Sequence, residues 1–332
     1  MSTTLNRRVR ATTAVAALIV AAASATAVSA QTVLKVGHVF AADHPWQIAL
    51  EGLADDVREA TGGSVEIQVF PSSQVGGDRE MAESMQLGTL EMALFGTGAL
   101  QVLDPRLIIE ELPYAWPTRE HAYAALDGRL GDALAGILSG RGIEVISWWE
   151  SGYRHITNSV RPIETPEDMQ GLTMRVPEAA LRIDTFRQLG SLPTPMAFSE
   201  VFTALQQRVV DGQENPLATI HASRFYEVQE HLALSGHIWG SGALTIAAGA
   251  LARLSDDERT ALMEAAAKWR DIERQMIAES EERLVEVLAA AGVQITRPDP
   301  AAFQAAVQPV WDQYESVFGA DLLELVREYS QQ

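Results

Sequence analysis

The chain has 332 residues, 44 acidic against 25 basic side chains for a net charge of −19, and no cysteine. Such an acidic excess repels nucleic acid and anionic membrane surfaces, and the lack of thiols excludes a disulfide framework or a lipid-modified cysteine. A locally basic cleft inside an acidic protein remains compatible with this balance.

Met1–Ala30 opens with Arg7, Arg8 and Arg10, runs apolar from Ala14 to about Ala23, and ends in Val28-Ser29-Ala30. This predicts a cleavable signal peptide over 1–30, cut between Ala30 and Gln31, because the apolar run is short of the roughly 20 residues that span a bilayer. The expected location is the periplasm of a Gram-negative bacterium. Cleavage would remove three arginines and no acid, taking the charge from −19 to −22, and would leave 302 of the 332 residues, enough for two lobes.

Strands and helices then alternate. Val33–Val39 reads as an apolar strand, followed by a helix from Pro45 to Ala60 with Asp43 or His44 at its cap and Thr61-Gly62-Gly63 at its end. Ser64–Phe70 is the next strand, Asp78 caps a helix reaching Leu87, and Glu91–Phe95 is a buried strand. This βαβα opening predicts a parallel or mixed sheet with helices on its faces. A second set places strands at Ile143–Trp149, His155–Asn158 and Leu172–Val176, with a helical turn opened by Thr165-Pro166-Glu167-Asp168. Ser255 and Glu258 form a capping box for a helix that runs to about Ala290, roughly 50 Å at 1.5 Å per residue. Its charged midsection predicts a course along the outside, across both lobes. Asp299-Pro300 starts another helix, ending near Phe318.

Pro193 to Pro216 carries the densest information. It reads as a loop, a short helix with Val201, Leu205 and Val209 at helical spacing and Ser199 as cap, a tight Asp211-Gly212 turn, and a loop with Gln213, Glu214 and Asn215. Upstream stand Arg175 in Met-Arg-Val-Pro and Arg154 in Gly-Tyr-Arg-His-Ile-Thr-Asn. Arginine can bind a carboxylate through two parallel charge-assisted bonds, which lysine does not reproduce. By residue type alone, Arg175 serves equally as a ligand anchor or as half of an internal salt bridge.

Together these segments resemble the solute-binding proteins of TRAP (tripartite ATP-independent periplasmic) transporters, the DctP family, over nearly the whole mature chain. The resemblance implies an α/β, two-lobed periplasmic binding protein of the type II-like, Venus-flytrap kind, with a long helix spanning both lobes. The implied division is 31–151 plus 241–280 for the first lobe and 152–240 plus 281–332 for the second. It further implies capture of a small organic acid for a sodium-coupled permease with a small and a large membrane subunit. No cofactor, metal or enzymatic chemistry is expected, and the protein is expected to be a monomer.

Within the resemblance, Arg175 corresponds to the anchor of the ligand carboxylate and Arg154 to a second contacting arginine. Asn215 corresponds to an asparagine donating to the same carboxylate, and Phe198 to an aromatic packed on the ligand body. Asp78 and Glu178 fall where the ligand's far end lies in the sialic-acid-binding members. Those members carry a polar residue at Val39 and an acid at Thr97, two departures within the expected ligand shell that point away from sialic acid. Glu150, beside Trp148 and Trp149, suits a hydroxylated ligand, with the carboxylate accepting from hydroxyls. His44 is read as a helix cap or a ligand contact. The expected ligand is a hydroxylated sugar acid such as a uronate or aldonate, with a C4-dicarboxylate, another carboxylate or a sulfonate as alternatives.

Nucleophile elbows, zinc-protease motifs and phosphate loops are absent from the sequence, and Gly96-Thr97-Gly98 alone is a weak nucleotide signal. The seven histidines lack metal-ligand spacing. A sensor component for a receptor kinase and a periplasmic enzyme acting on organic acids are the remaining readings.

Overall fold

The computed structural model describes residues 31–331; the signal segment read from the sequence lies outside them. Three short strands, β1 (Thr32–Gly37), β2 (Val65–Phe70) and β3 (Met92–Gly96), bury Leu34, Val36, Met92 and Leu94 between covering helices. β1 pairs with both β2 and β3 in parallel, the arrangement that helical crossovers impose. A second group comprises β5 (Thr173–Val176), β6 (Leu192–Pro195) and β7 (Gly212–Pro216), with β5 parallel to both neighbours. Two long strands, β4 (Ile143–Asn158) and β8 (His231–Ala247), run antiparallel through the middle. Including β9 (Gln294–Thr296), which pairs with β8, the described strands form one sheet, ordered β2-β1-β3-β8-β4-β7-β5-β6. The first lobe is built on β1–β3 and the second on β5–β7.

The β4–β8 pair shifts register at three places, one between Glu150 and Gly152. Gly152 has φ +108°, and a Cβ there would sit 3.3 Å from Pro216 Cβ, so glycine lets the strand deviate at this bulge. Bulges bend and twist a ladder, and this one lies where the sheet passes from one lobe to the other.

Several expectations needed correction. The segments Ile143–Trp149 and His155–Asn158 are one continuous strand. Gln213, Glu214 and Asn215 are not on a loop: they lie in β7, buried between β4 and β5. Polar residues are tolerated there because they pair, with Gln213 Nε2 donating to Thr157 Oγ1 at 2.9 Å and Asn215 Nδ2 donating to Gln213 Oε1. Gly77, not Asp78, is the N-cap of the helix Asp78–Gln86. Ser199 does not cap either, since a 3₁₀ turn over Phe198–Glu200 leads into the helix Val201–Gln206. That helix stops before Val209, which is 60% exposed.

The long helix runs from Asp256 to Ala290 with the Ser255–Glu258 capping box in place. It packs on the helix Pro45–Ala60, on β4 and on the helix Leu217–Ala222, and so touches both lobes. Its midsection is not simply external. Glu273 and Arg274 are buried where the helix crosses the bulge: Glu273 accepts from the Glu150 amide at 3.0 Å, and Arg274 donates to Asp127 and the Trp148 carbonyl. The final helix, Ala320–Tyr329, packs on the first-lobe helices Arg119–Leu126 and Arg129–Ser139. The expected division had placed all of 281–332 with the second lobe. Among the described residues no helix is long and apolar enough to cross a membrane.

Candidate ligand-binding site

β5 carries Arg175 to the centre of the second lobe, in register with Thr194 on β6 and Gln213 on β7. The side chain is 3% exposed and reaches a cavity of about 320 Å³ between the lobes. One edge of the guanidinium is fixed: Nε and Nη2 donate to the Met196 carbonyl at 3.2 and 2.9 Å. Among the described residues no carboxylate lies within ion-pair distance of it. Burial pulls its pKa down to about 10, with Glu214 and Asp78 opposing that and Arg154 and Arg182 adding like-charge repulsion. It stays charged at neutral pH, a buried cation with its other edge free for an anion.

Behind Arg175 lies a paired network. Arg154 donates from Nε and Nη2 to the two carboxylate oxygens of Glu214 at 2.5 and 2.9 Å, and from Nη2 to Asn215 Oδ1 at 3.0 Å. Arg182 lies 2.8 Å from Glu214 and 2.7 Å from Glu111. Burial would raise the pKa of Glu214, but Arg154 and Arg182 outweigh it and hold the carboxyl well below the usual range. Two arginines thus face two glutamates, and the charge of Arg175 is left over.

The opposite wall comes from the first lobe. Asp78 lines it from the first turn of its helix, and its buried Oδ1 has no hydrogen-bond partner. Burial raises this carboxyl to about 7, with Arg175 pulling it down and Glu80 pushing it further up. Val39 and Gly98 complete this side. Phe198 closes the second-lobe side, its ring centroid 5.8 Å from the Arg175 guanidinium carbon and 5.1 Å, edge-on, from the ring of Phe40. Glu178 stands at the rim, exposed, with Arg79 at 3.8 Å from the other lobe.

Of the residues singled out in the sequence, the cavity brings together Arg175, Asp78, Phe198 and Glu178. Arg154 and Asn215 do not line it; their polar groups are engaged in the network behind. Glu150 lies elsewhere, at the bulge, where Trp239 Nε1 donates to Oε1 at 2.9 Å and Tyr123 OH and Arg119 engage Oε2. His44 is the helix cap: Nδ1 accepts from the Trp46 amide at 3.1 Å, which leaves Nε2–H to donate to Thr219 Oγ1 at 3.2 Å. Thr97 is buried with its hydroxyl on Glu110, and its neighbour Gly98 reaches the cavity instead. Sequence reading missed Arg182 and Glu111, whose pairing spans the helix Ala180–Gln188 and the turn Pro105–Glu111 and leaves no local signal. Gly98 was missed too: a Cβ there would fall 2.6 Å from Glu111 Oε2, so any larger residue would have to displace that carboxylate. Among the described residues no group of three His, Asp or Glu side chains is placed to hold a metal ion.

Comparison with known proteins identifies the family. The family profile described as "Bacterial extracellular solute-binding protein, family 7" matches residues 36–317. A TRAP periplasmic solute-binding protein from Polaromonas sp. JS666, solved with D-erythronate, is 36% identical, with a TM-score of 0.87 over 90% of this chain and 98% of that one. One from Bordetella bronchispeptica, with density assigned to pantoate, is also 36% identical, with a TM-score of 0.87 over 90% and 99%. One from Roseobacter denitrificans holding L-galactonate is 34% identical, with a TM-score of 0.84 over 90% and 98%. These proteins bind and release solutes and are not enzymes. With a family profile matching residues 36–317 and relatives of this identity spanning nine-tenths of its length, the chain belongs to the DctP family of TRAP transporter solute-binding proteins.

Proposed function

We propose that this protein captures a hydroxylated monocarboxylate, of the aldonate or uronate type, in the periplasm and delivers it to a permease of a small and a large membrane subunit. The observation that carries this reading is Arg175, a buried guanidinium without a counter-ion facing a cavity whose far wall presents an unpartnered carboxyl, Asp78. A ligand carboxylate on the free edge of Arg175 would compensate the one unpaired charge, and hydroxyls on the ligand body would satisfy Asp78. Arg154 and Asn215, behind the anchor, hold Glu214 in its paired network, so that this carboxylate does not neutralise Arg175 directly. Glu178 at the rim offers a further acceptor, and Phe198 covers the C–H face of the ligand.

The first-lobe wall disfavours a dicarboxylate, whose distal charge would meet Asp78 and Glu80, while Arg79 on the same wall is turned to Glu178 at 3.8 Å. The volume of about 320 Å³ is at the lower end for small-molecule sites and favours a compact acid. Erythronate, pantoate and galactonate, bound by the relatives, are all hydroxylated monocarboxylates, which supports the same class. The lobe division is proposed as 31–151 with 241–280 and 152–240 with 281–318, the last helix belonging to the first lobe. We take the functional unit to be a monomer, exported by the segment 1–30.

A thermal-shift screen with D-erythronate, pantoate, L-galactonate, succinate and a short-chain sulfonate tests the reading. Ligand at about 100 times its dissociation constant adds about 2.7 kcal/mol of stability. Stabilisation by one or more hydroxy acids and none by succinate is expected. A response to succinate or the sulfonate alone would overturn the ligand class.

A further inference from the structure

One amide side chain hydrogen-bonds across the mouth of the cleft, beside the Phe40–Phe198 ring contact and the buried Arg182–Glu111 ion pair that also link the lobes. Gln101 sits in the 3₁₀ turn Thr97–Val102 that follows β3 in the first lobe. Its Oε1 accepts from the Ala180 backbone N–H at 2.9 Å, and its Nε2 donates to the Glu178 carbonyl. Both partners lie in the second lobe, in the segment leading from β5 into the helix Ala180–Gln188.

The position of the donor matters. Ala180 is the first residue of that helix, and its N-cap, Ala179, has no side-chain oxygen to offer the free amides of the first turn. Gln101 therefore supplies from the other lobe a bond that an N-cap residue normally supplies locally. It reads only backbone on the far side, so the bond depends on the relative position of the walls and not on which acid lies between them. The same two segments line the cavity, through Gly98, Ala99 and Val102 on one wall and Arg175, Pro177 and Glu178 on the other.

We propose that Gln101 is a positioning residue: a clasp that holds the cleft shut by capping the helix Ala180–Gln188 across it, and so scales affinity for every ligand alike. Separation of the lobes breaks both bonds together and returns the Ala180 amide to water. The other contact bridging the rim, Arg79 with Glu178 at 3.8 Å, is between half-exposed side chains and adds little.

The chain has no cysteine, so spin labels at Leu87→Cys and Leu192→Cys report on the two lobes without background; both positions are well exposed. Distance distributions by pulsed electron resonance would be compared for Gln101, Gln101→Ala and Gln101→Glu. Each would be measured without added acid and with a mixture of D-erythronate, pantoate and L-galactonate. Gln101→Ala is expected to move population from the short to the long distance in at least one condition, on the order of tenfold in the closed-to-open ratio. Gln101→Glu keeps an acceptor for Ala180 but turns an oxygen on the Glu178 carbonyl, and is expected to open the cleft as well. The melting temperature should stay within about 2 °C of the parent, which separates a clasp from a residue needed for folding. Identical distributions for all three proteins in both conditions would overturn the proposal. A thermal shift of the parent by at least one of the three acids, established first, ensures that the closed state is populated in the second condition.

Discussion

Asp78 and Arg175 face one cavity from opposite lobes, and among the described residues neither has an ion-pair partner. Each senses the other: Arg175 draws the Asp78 carboxyl down against its burial, and Asp78 draws the guanidinium pKa up. They do not touch. A cation and an acceptor on opposite walls of a small cavity would suit the proposed ligand, with its anionic end and its hydroxyl-bearing end. Two lobes are needed to bring the pair within one ligand length.

Arg175→Lys is expected to keep the fold and to weaken binding of a hydroxy acid by about tenfold or more. The Met196 carbonyl holds one edge of the arginine and aims the other. A lysine ammonium cannot bond that carbonyl and also present two parallel donors to a carboxylate. Calorimetry on the purified variant decides it, and unchanged affinity would remove Arg175 from the ligand shell.

Asp78→Asn has a pH signature. An acid whose pKa is raised in the folded protein stabilises it in the neutral form. That contribution is fully present below the unfolded value near 4 and is lost as pH rises through the folded value, about 7. Asparagine keeps the shape without the titration. The variant should therefore melt higher than its parent at pH 8, with the gap closing as pH falls toward 4. Glu110, also raised by burial and by its neighbour Glu111, titrates in both proteins and cancels in the difference. A pH-independent gap would show that the Asp78 carboxyl is not desolvated.

Much of this was legible in the sequence, for reasons that divide cleanly. The Ser255–Glu258 box and the Asp299-Pro300 start are local: cap and first turn lie within four residues, and both helices begin where the residues say. Arg175 could be singled out only through the resemblance of its Met-Arg-Val-Pro motif, since residue type alone left anchor and salt bridge equal, and the structure places it at the cavity. Gln213-Glu214-Asn215 was misread because three polar residues after Asp-Gly look like a loop, and only the neighbouring strands, which supply Thr157 and Arg154 as partners, make them a strand. Glu150 and His44 looked like ligand residues because acid, tryptophan and histidine are the side chains of sugar sites. Their partners, Trp239, Tyr123 and Thr219, are 89, 27 and 175 residues away in the chain.

Glu150→Gln should accordingly leave ligand selectivity unchanged and cost stability. Glu150 Oε2 takes both Tyr123 and Arg119, and an amide nitrogen in its place would confront the Arg119 guanidinium. Leaving a buried polar group unsatisfied typically costs about 1–3 kcal/mol. Denaturant unfolding would register that loss. Equal affinity changes for a hydroxy acid and for its analogue lacking the hydroxyls confirm the role at the bulge, whereas a loss confined to the hydroxylated ligand would place Glu150 in the site.

Closure should be visible in solution. The contacts proposed for one ligand lie on Asp78 in the first lobe and on Arg175 and Phe198 in the second, so both walls meet it only when the cleft is shut. The sheet is continuous through β4 and β8, and opening must be absorbed at a few residues. We expect them at the bulge between Glu150 and Gly152, one of three register shifts in the β4–β8 pair. The helix Asp256–Ala290 crosses the same point and is tied to it through Glu273 on the Glu150 amide and Arg274 on the Trp148 carbonyl. The helix is therefore expected to move with the bulge. Small-angle scattering is expected to give a smaller radius of gyration with a binding acid than without it. Gly152→Ala, which strains a residue at φ +108° and crowds Pro216, should reduce that change while leaving Arg175 and Asp78 in place. An unchanged radius on adding an acid that demonstrably binds would mean that the ligand enters a cleft already shut, and the bulge would then be a structural bend without a hinge role.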